Sequence, residues 1–376
     1  MSIRQMFLGS IVKPGFNPLA AQTPTFLYNL FSFGQNANGC LGLGNLTTYS
    51  SPKQVGSLYW TAIAAANNNS SFGLKNDGTL WSWGNGANGA LGLGNTTDYS
   101  SPKQIGALTT WSKINSGEEQ STFAIKTDGT LWSWGKNSNG QLGLGDTTAR
   151  SSPVQIGALT AWLNVSCGTY HASAIKTDGT IWTWGANSSG QLGLGNTTAY
   201  SSPKQVGSLT TWLKIASGGY ATYAIKNDGT FWSWGRGAGG RLGLGNITNY
   251  SSPKQVGALT NWLTIGAGNY SIFVTKTDGT LWAFGSNGSG QLGTGNITAY
   301  SSPKQVGALT NWASPSSRRS TSGAVKTDGT LWTWGENGVG QLGLSNTTSY
   351  SSPKQVGTST TWSAVSIGGY YTLALG

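Results

Sequence analysis

The chain copies itself at a fixed interval, and no other feature constrains its fold as strongly. The segment Ser-Pro-Lys-Gln recurs with its proline at Pro52, Pro102, Pro203, Pro253, Pro303 and Pro353; a further copy reads Ser152-Pro153-Val154-Gln155. The pentad Leu-Trp-Ser-Trp-Gly, or a close variant, starts at Leu30, Leu80, Leu131, Ile181, Phe231, Leu281 and Leu331, so the interval is 50 or 51 residues throughout. A period of this length means one supersecondary unit per copy, stacked or closed into a ring. The chain therefore reads as one repeat domain over residues 27–376 preceded by an arm of residues 1–26. Length alone would suggest two domains.

Residues 170–220 show what one copy contains. Tyr170 to Ile175 alternates and reads as a strand, taken here as the inner strand of its unit. Lys176-Thr177-Asp178-Gly179-Thr180 follows, and Asp-Gly between two alternating runs is a strong hairpin signal because glycine accepts positive φ. Ile181 to Gly185 places two tryptophans on one face of the next strand. A glycine-punctuated loop runs from Ala186 to Gly195; Lys204-Gln205-Val206 makes a third strand and Trp212 to Ala216 a fourth. No segment carries a sustained helical period. Four antiparallel strands per copy predict an all-β, seven-bladed β-propeller of four-stranded antiparallel blades.

The two ends complement each other. Residues 27–34 hold the aromatic strand without a preceding Asp-Gly turn, and residues 371–375 hold an alternating strand with no turn after it. One blade shared by both termini closes the ring and removes its open edges.

The copies resemble the repeats of the regulator of chromosome condensation family. Asp178-Gly179-Thr180-Ile181-Trp182-Thr183-Trp184-Gly185-Ala186-Asn187, continuing to Gly190-Gln191-Leu192-Gly193, follows the family pattern closely, and Cys167-Gly168-Thr169-Tyr170-His171 matches its Cys-Gly-x-x-His segment. The resemblance spans residues 27–376 and implies the propeller fold. For function it implies less, because one scaffold hosts many activities. The family's founding member is an exchange factor for the GTPase Ran that uses an inserted wedge; no copy here carries an insertion.

Catalytic chemistry is poorly provided for. The chain has one histidine, His171, at the start of a strand, where a structural role is expected. Of 11 acidic residues, six are the turn Asp of the repeat, and the adjacent Glu118 and Glu119 make no acid/base pair across a cleft. The two cysteines, Cys40 and Cys167, lie at different phases of the repeat. Neither a disulfide framework nor a zinc set is indicated. The expectation is a protein that is not an enzyme and needs no cofactor or metal. A formal charge of +11 points toward nucleic acid, but most of it is repeat lysine spread evenly around the ring. An even distribution is not a basic stripe, and nucleic acid is set aside as a partner. No apolar run reaches 18 residues, so no membrane span is predicted.

Comparing the copies with one another separates constant from variable segments. The Asp-Gly turns and the Val-Gly-Ala-Leu-Thr connections barely change. The loop leading into the Tyr170-type strand changes strongly, and so does the segment after Trp-Gly. Alternating connections put both constant segments on one face and both variable segments on the other, near the axis. Tyr170, Tyr220, Tyr270, Tyr370, Glu118, Glu119, Arg318 and Arg319 are therefore the candidate ligand-binding residues, with a host glycan or a protein as the expected ligand. The Glu and Arg pairs, in different copies, would give the face opposite local charges. In the arm, Met6, Phe7, Leu8, Ile11 and Phe16 have no blade to fill and are candidate anchors to another virion or surface protein.

The leading expectation is a non-enzymatic structural or adhesive propeller of a virion or extracellular surface, since a short N-terminal anchor before a β-rich body is similar to the appendages of tailed bacteriophages. The alternative is a soluble, cytoplasmic protein-interaction propeller, an inhibitor or regulatory module; a Ran-type exchange factor stands third.

Overall fold

The computed structural model describes residues 27–376, which form seven four-stranded antiparallel sheets arranged as a propeller. The candidate anchors Met6, Phe7, Leu8, Ile11 and Phe16 lie outside the described residues. The fourth blade is typical: Trp162–Cys167, His171–Lys176, Ile181–Gly185 and Tyr200–Gln205, hydrogen-bonded in that order. Among the described residues there is no α-helix, and no helix long and apolar enough to cross a membrane.

The first blade is built from both ends of the chain, as their complementary sequences predict. Tyr28–Gly34 pairs with Tyr371–Leu375 in register from Leu30 opposite Leu375 to Gly34 opposite Tyr371. Tyr49–Trp60 completes its outer side and Ala364–Ile367 its inner side.

The phase of the blade corrects the sequence reading. Tyr170–Ile175 is not the inner strand: His171–Lys176 lies second from the axis, and Trp162–Cys167 lies innermost. The strand beginning at Trp212 opens the fifth blade and does not close the fourth. The seven innermost strands touch one another around the axis, and side chains stitch several of them together. Asn115 Oδ1 accepts from Cys167 N–H at 3.2 Å, Ser166 Oγ from Ser217 N–H at 2.8 Å, and Ser366 Oγ from Ala65 N–H at 2.9 Å.

Neighbouring blades lock through the second tryptophan of the pentad. Trp184 is fully buried, and its indole N–H reaches back to the carbonyl of Gln141 in the preceding blade at 2.8 Å; Trp83, Trp134 and Trp334 do the same within 2.8–2.9 Å. Gly143 packs edge-on beneath Trp184 with φ +75, and a Cβ there would meet the indole nitrogen at 2.8 Å. This contact explains why Gly-Gln-Leu-Gly and Trp-x-Trp-Gly recur together. Truncating one such buried tryptophan to alanine costs about 3–5 kcal/mol.

The lower face consists of the Asp-Gly turns and the blade-to-blade connections. Each turn carries the same relay. Asp178 Oδ1 accepts from the N–H of Thr180 at 2.9 Å and from its hydroxyl at 2.7 Å, while Thr180 Oγ1 accepts the Trp182 indole N–H at 3.0 Å. Those hydrogen bonds hold the Asp178 carboxyl below the ordinary aspartate range. The lysine two residues before each Asp lies against the first tryptophan of the pentad, its Nζ between 3.6 and 5.4 Å from the ring centre across the six copies.

Candidate functional site

The upper face is assembled on one recurring backbone hydrogen bond whose residues carry changing side chains. In every blade the residue after Trp-Gly donates its N–H to the carbonyl of the last loop residue before the second strand. These bonds run from Ala186 to Tyr170 at 2.8 Å, Arg236 to Tyr220 at 3.0 Å, Ser286 to Tyr270 at 2.8 Å and Gln35 to Tyr370 at 2.9 Å. In the remaining copies the accepting carbonyl belongs to Asn69, Gln120 or Ser320. One backbone position thus presents tyrosine in four blades and a polar side chain in three. Tyr170, Tyr220, Tyr270, Tyr370 and Ser320 line the axial cavity, whereas Asn69 and Gln120, at φ 66 and 63, pair with Asn38 and Asn88 instead.

These loops enclose an axial cavity of about 400 Å³ lined by four tyrosines, three glutamates, two asparagines, Thr169, Ser320 and Arg319. No aliphatic side chain lines it. All three glutamates of the whole chain, Glu118, Glu119 and Glu336, meet here. Seven of the eight sequence-predicted ligand residues therefore come together: Tyr170, Tyr220, Tyr270, Tyr370, Glu118, Glu119 and Arg319. Tyr170 and Tyr220 meet edge to face with ring centres 5.9 Å apart. Tyr270 is the most open of the four at 41% exposure. Burial pushes the Tyr220 phenol up, and neighbouring Tyr170 and Tyr270 add to it, so the Tyr220 ring acts as a neutral platform.

Arg318 is absent from the lining. Its guanidinium reaches across the axis to the carbonyl of Ser116 at 3.1 Å. Glu118 is likewise not a charge offered to solvent, being only 4% exposed. It accepts from the Thr169 hydroxyl and, at 2.6 Å, from Asn269 in the sixth blade. Burial pushes its carboxyl above the ordinary glutamate range, against the pull of Arg318 and the Thr169 hydrogen bond. The expected surface of opposed Glu and Arg charges is corrected in this respect: Glu118 and Arg318 form a floor that ties the third blade to the sixth and seventh. Glu119 does face the cavity and is held by Lys136 at 2.8 Å.

Arg241 falls in a variable segment after Trp-Gly but is not among the candidate ligand residues. It is 5% exposed, donates to the carbonyls of Ala238 at 2.8 Å and Asn269 at 3.3 Å, and lies against the Tyr270 ring at 5.0 Å. Its departure from glutamine, the residue at this place in four other copies, was the available signal. His171 is buried, with Nε2 3.0 Å from the Thr222 hydroxyl, and burial lowers its pKa to about 3. Among the described residues no group of three His, Cys, Asp or Glu side chains could hold a metal ion.

A closed ring of seven four-stranded blades with a variable axial cavity defines a repeat β-propeller. The regulator of chromosome condensation (RCC1) repeat matches seven times, at residues 29–72, 77–124, 128–175, 178–225, 228–274, 278–318 and 328–375; the chain belongs to this family. Protein RCC2 of mouse and of human is similar at 48% identity over 52 residues, which is 13% of this chain and 10% of each relative. The match thus spans about a tenth of the length of those relatives. Among solved structures, Prp20p from Saccharomyces cerevisiae is similar with a TM-score of 0.83 at 19% identity, covering 93% of this chain and 91% of that one. Human WBSCR16 is similar with a TM-score of 0.83 at 18% identity, covering 93% and 98%. At these identities the likeness establishes the fold alone.

Proposed function

We propose that this protein is a non-enzymatic interaction propeller that receives a segment of a partner protein in its axial cavity. The observation that carries this reading is the position of the variation. Side chains differ between blades at the loop position that lines the cavity in five of the seven (Tyr170, Tyr220, Tyr270, Ser320 and Tyr370), and they stay constant on the opposite face. Aromatic and Arg side chains on a rigid frame suit an anchoring role. The relatives agree in kind: Prp20p is described with binding properties toward Gsp1p and histones, and yeast RCC1 (Prp20) was crystallised with Kap60 bound. The reading as an adhesive virion component rests on residues 1–26, and family membership favours the interaction module over it. A nucleotide-exchange role would be a narrower form of the same reading, requiring a GTPase as the partner.

The test is quantitative capture of proteins from source-cell lysate on the full chain and on the double variant Y220A/Y270A. A protein retained by wild type and lost by the variant, with an unchanged unfolding midpoint, supports the reading. Capture indifferent to the double variant removes it.

A further inference from the structure

Arg319 is the charged side chain of the axial cavity that the fold holds most completely without compensating. Its Nε donates to Asn67 Oδ1 at 2.6 Å, its Nη1 to the Tyr370 hydroxyl at 2.5 Å, and its guanidinium lies 4.7 Å from the Tyr370 ring centre. The backbone N–H of Arg319 donates to Asn269 Oδ1 at 3.1 Å, and its φ is +47, a left-handed value uncommon for a residue with a Cβ. Two other blades thus fix this side chain and a third fixes its backbone, and all of these partners are neutral. The ion pairs among the described residues are Lys136–Glu119 and Arg150–Asp146. A guanidinium has five N–H donors. The two contacts from Nε and Nη1 leave the remaining Nη donors for an occupant.

The surrounding charges decide what that occupant carries. Glu119 is held by Lys136, Glu118 is buried beneath the cavity near Arg318 and Arg241, and Glu336 lines the wall. Arg236 lies against the Tyr220 ring at 5.4 Å and Arg241 against Tyr270 at 5.0 Å. Lys136, Arg236, Arg241 and Arg318 stand behind the lining, and Arg319 is the cation that lines the cavity itself. A cationic ligand would meet tyrosine rings already faced by arginine; an anionic one meets a preorganised fork.

We propose that Arg319 anchors a carboxylate of the partner in the axial cavity, so that the recognised segment is acidic. Planar, bidentate pairing with a carboxylate is the interaction a fixed guanidinium makes best, and a side chain already immobilised loses little entropy in making it. This inference rests on the interaction reading given above and names the chemistry of its partner.

The experiment is NMR titration of the full chain with a capped tetra-aspartate peptide, a capped tetra-lysine peptide and succinate, using wild type, R319Q and R319K. The expected result is that wild type binds the aspartate peptide about ten-fold more tightly than the lysine peptide. R319Q should abolish that preference, and R319K should retain part of it. Unfolding midpoints check each variant, and R319K carries the test if R319Q fails to fold. A preference for the lysine peptide, or aspartate binding unchanged in both variants, overturns the proposal. Succinate binding as tightly as the peptide, and as dependent on Arg319, overturns a protein segment as the source of the carboxylate. Should R319Q still capture the partner that Y220A/Y270A loses, the anchor falls while the interaction reading stands. Should neither variant affect capture, the interaction reading falls as well.

Discussion

The two faces of the propeller use the same strands to opposite ends. On the lower face the polar side chains of each turn are satisfied within their own blade: Asp178, Thr180 and Trp182 close a relay within five residues, and Asp77, Thr79 and Trp81 repeat it at matching distances. On the upper face the blades satisfy one another across the axis. Asn269 donates to Glu118, 151 residues away, Arg318 to Ser116, 202 residues away, and Arg319 to Asn67, 252 residues away. A local solution can be copied without change, and copying it six times produces the near-identity of the turns. A cross-axis solution cannot be copied, because each side chain meets a different partner. Constancy between blades therefore marks self-sufficient structure, and variation marks the place where the ring acts as a single object.

The most severe way to break this contrast is to open the ring. Deleting residues 370–376 removes Tyr371–Leu375 from the first blade, exposing Tyr28–Gly34 and Ala364–Ile367 as unpaired edges. The Tyr371 hydroxyl, which donates to the Ser70 carbonyl at 2.6 Å, goes with it. The expected outcome is an aggregated product in size-exclusion chromatography. A soluble monomer with an unchanged unfolding midpoint would show that upper-face contacts do not depend on closure.

Substitution within a lower-face turn should be the next largest effect, and an equal one in the blades whose turn glycine faces the same threonine carbonyl. Gly179 has φ +78, and a Cβ there would lie 2.2 Å from the Thr210 carbonyl oxygen; Gly229, at φ +77, would meet that of Thr260 at 2.0 Å. Gly179→Ala and Gly229→Ala should each destabilise by about 3 kcal/mol in chemical unfolding, from left-handed strain plus a backbone clash. Partner binding by the folded fraction should not change. Losses that differ by more than about 1 kcal/mol between the two blades would contradict the local, copied character of this face.

The upper face should respond in binding and not in stability. Y220A/Y270A is expected to weaken partner binding by about 2 kcal/mol in total. The fold should tolerate it, because Ser320 occupies the same backbone position in the seventh blade without a left-handed φ. A fall in the unfolding midpoint comparable to the turn variants would make these tyrosines structural.

Much of this contrast was legible in the sequence, and its limits have physical causes. Blade number, closure and the tyrosine ring followed from period and from differences between copies, because one backbone geometry recurs. Strand phase did not follow: Trp212 is adjacent in sequence to the fourth blade, but its strand pairs with Ala221–Lys226, and chain order alone does not say which neighbour wins. Glu118 and Arg318 looked like surface charges because nothing local reveals that loops from three blades bury one and divert the other. Arg241 stood in a glycine-rich loop whose other members are copied structure, so its turn into the interior left only a single-residue departure as a trace.

A smaller effect should separate the two faces by pH. The folded-state value of Glu118 is raised by burial, so its contribution is present below the ordinary glutamate range and is lost as pH rises through the raised value. Asp77, Asp178, Asp228 and Asp278 are lowered, first by the threonine hydroxyl bond; their contribution is present above the ordinary aspartate range and is lost as pH falls through the lowered values. E118Q should remove the loss on raising pH from about 4.3, the ordinary glutamate value, and leave the acid limb untouched. If the E118Q and wild-type unfolding midpoints run parallel across pH 4–8, the buried carboxyl is not the titrating group.

The smallest expected effect sharpens the comparison from the other side. Lys53 and Lys254 belong to the constant Ser-Pro-Lys-Gln segments of the outermost strands, exposed to solvent, with each Nζ over its own strand's tyrosine at 5.5 and 5.6 Å. A contact of that kind contributes about 0.5–1 kcal/mol at most at an exposed site. Both lysines lie on the rim, away from the residues that line the axial cavity. K53Q/K254Q should therefore shift partner binding by less than about 0.5 kcal/mol, with part of any shift disappearing at high salt as general attraction is screened. A loss exceeding that of Y220A/Y270A would transfer the interaction to the rim. Constancy between blades would then have to be explained by a ligand that repeats as the propeller does, and not by self-sufficient structure.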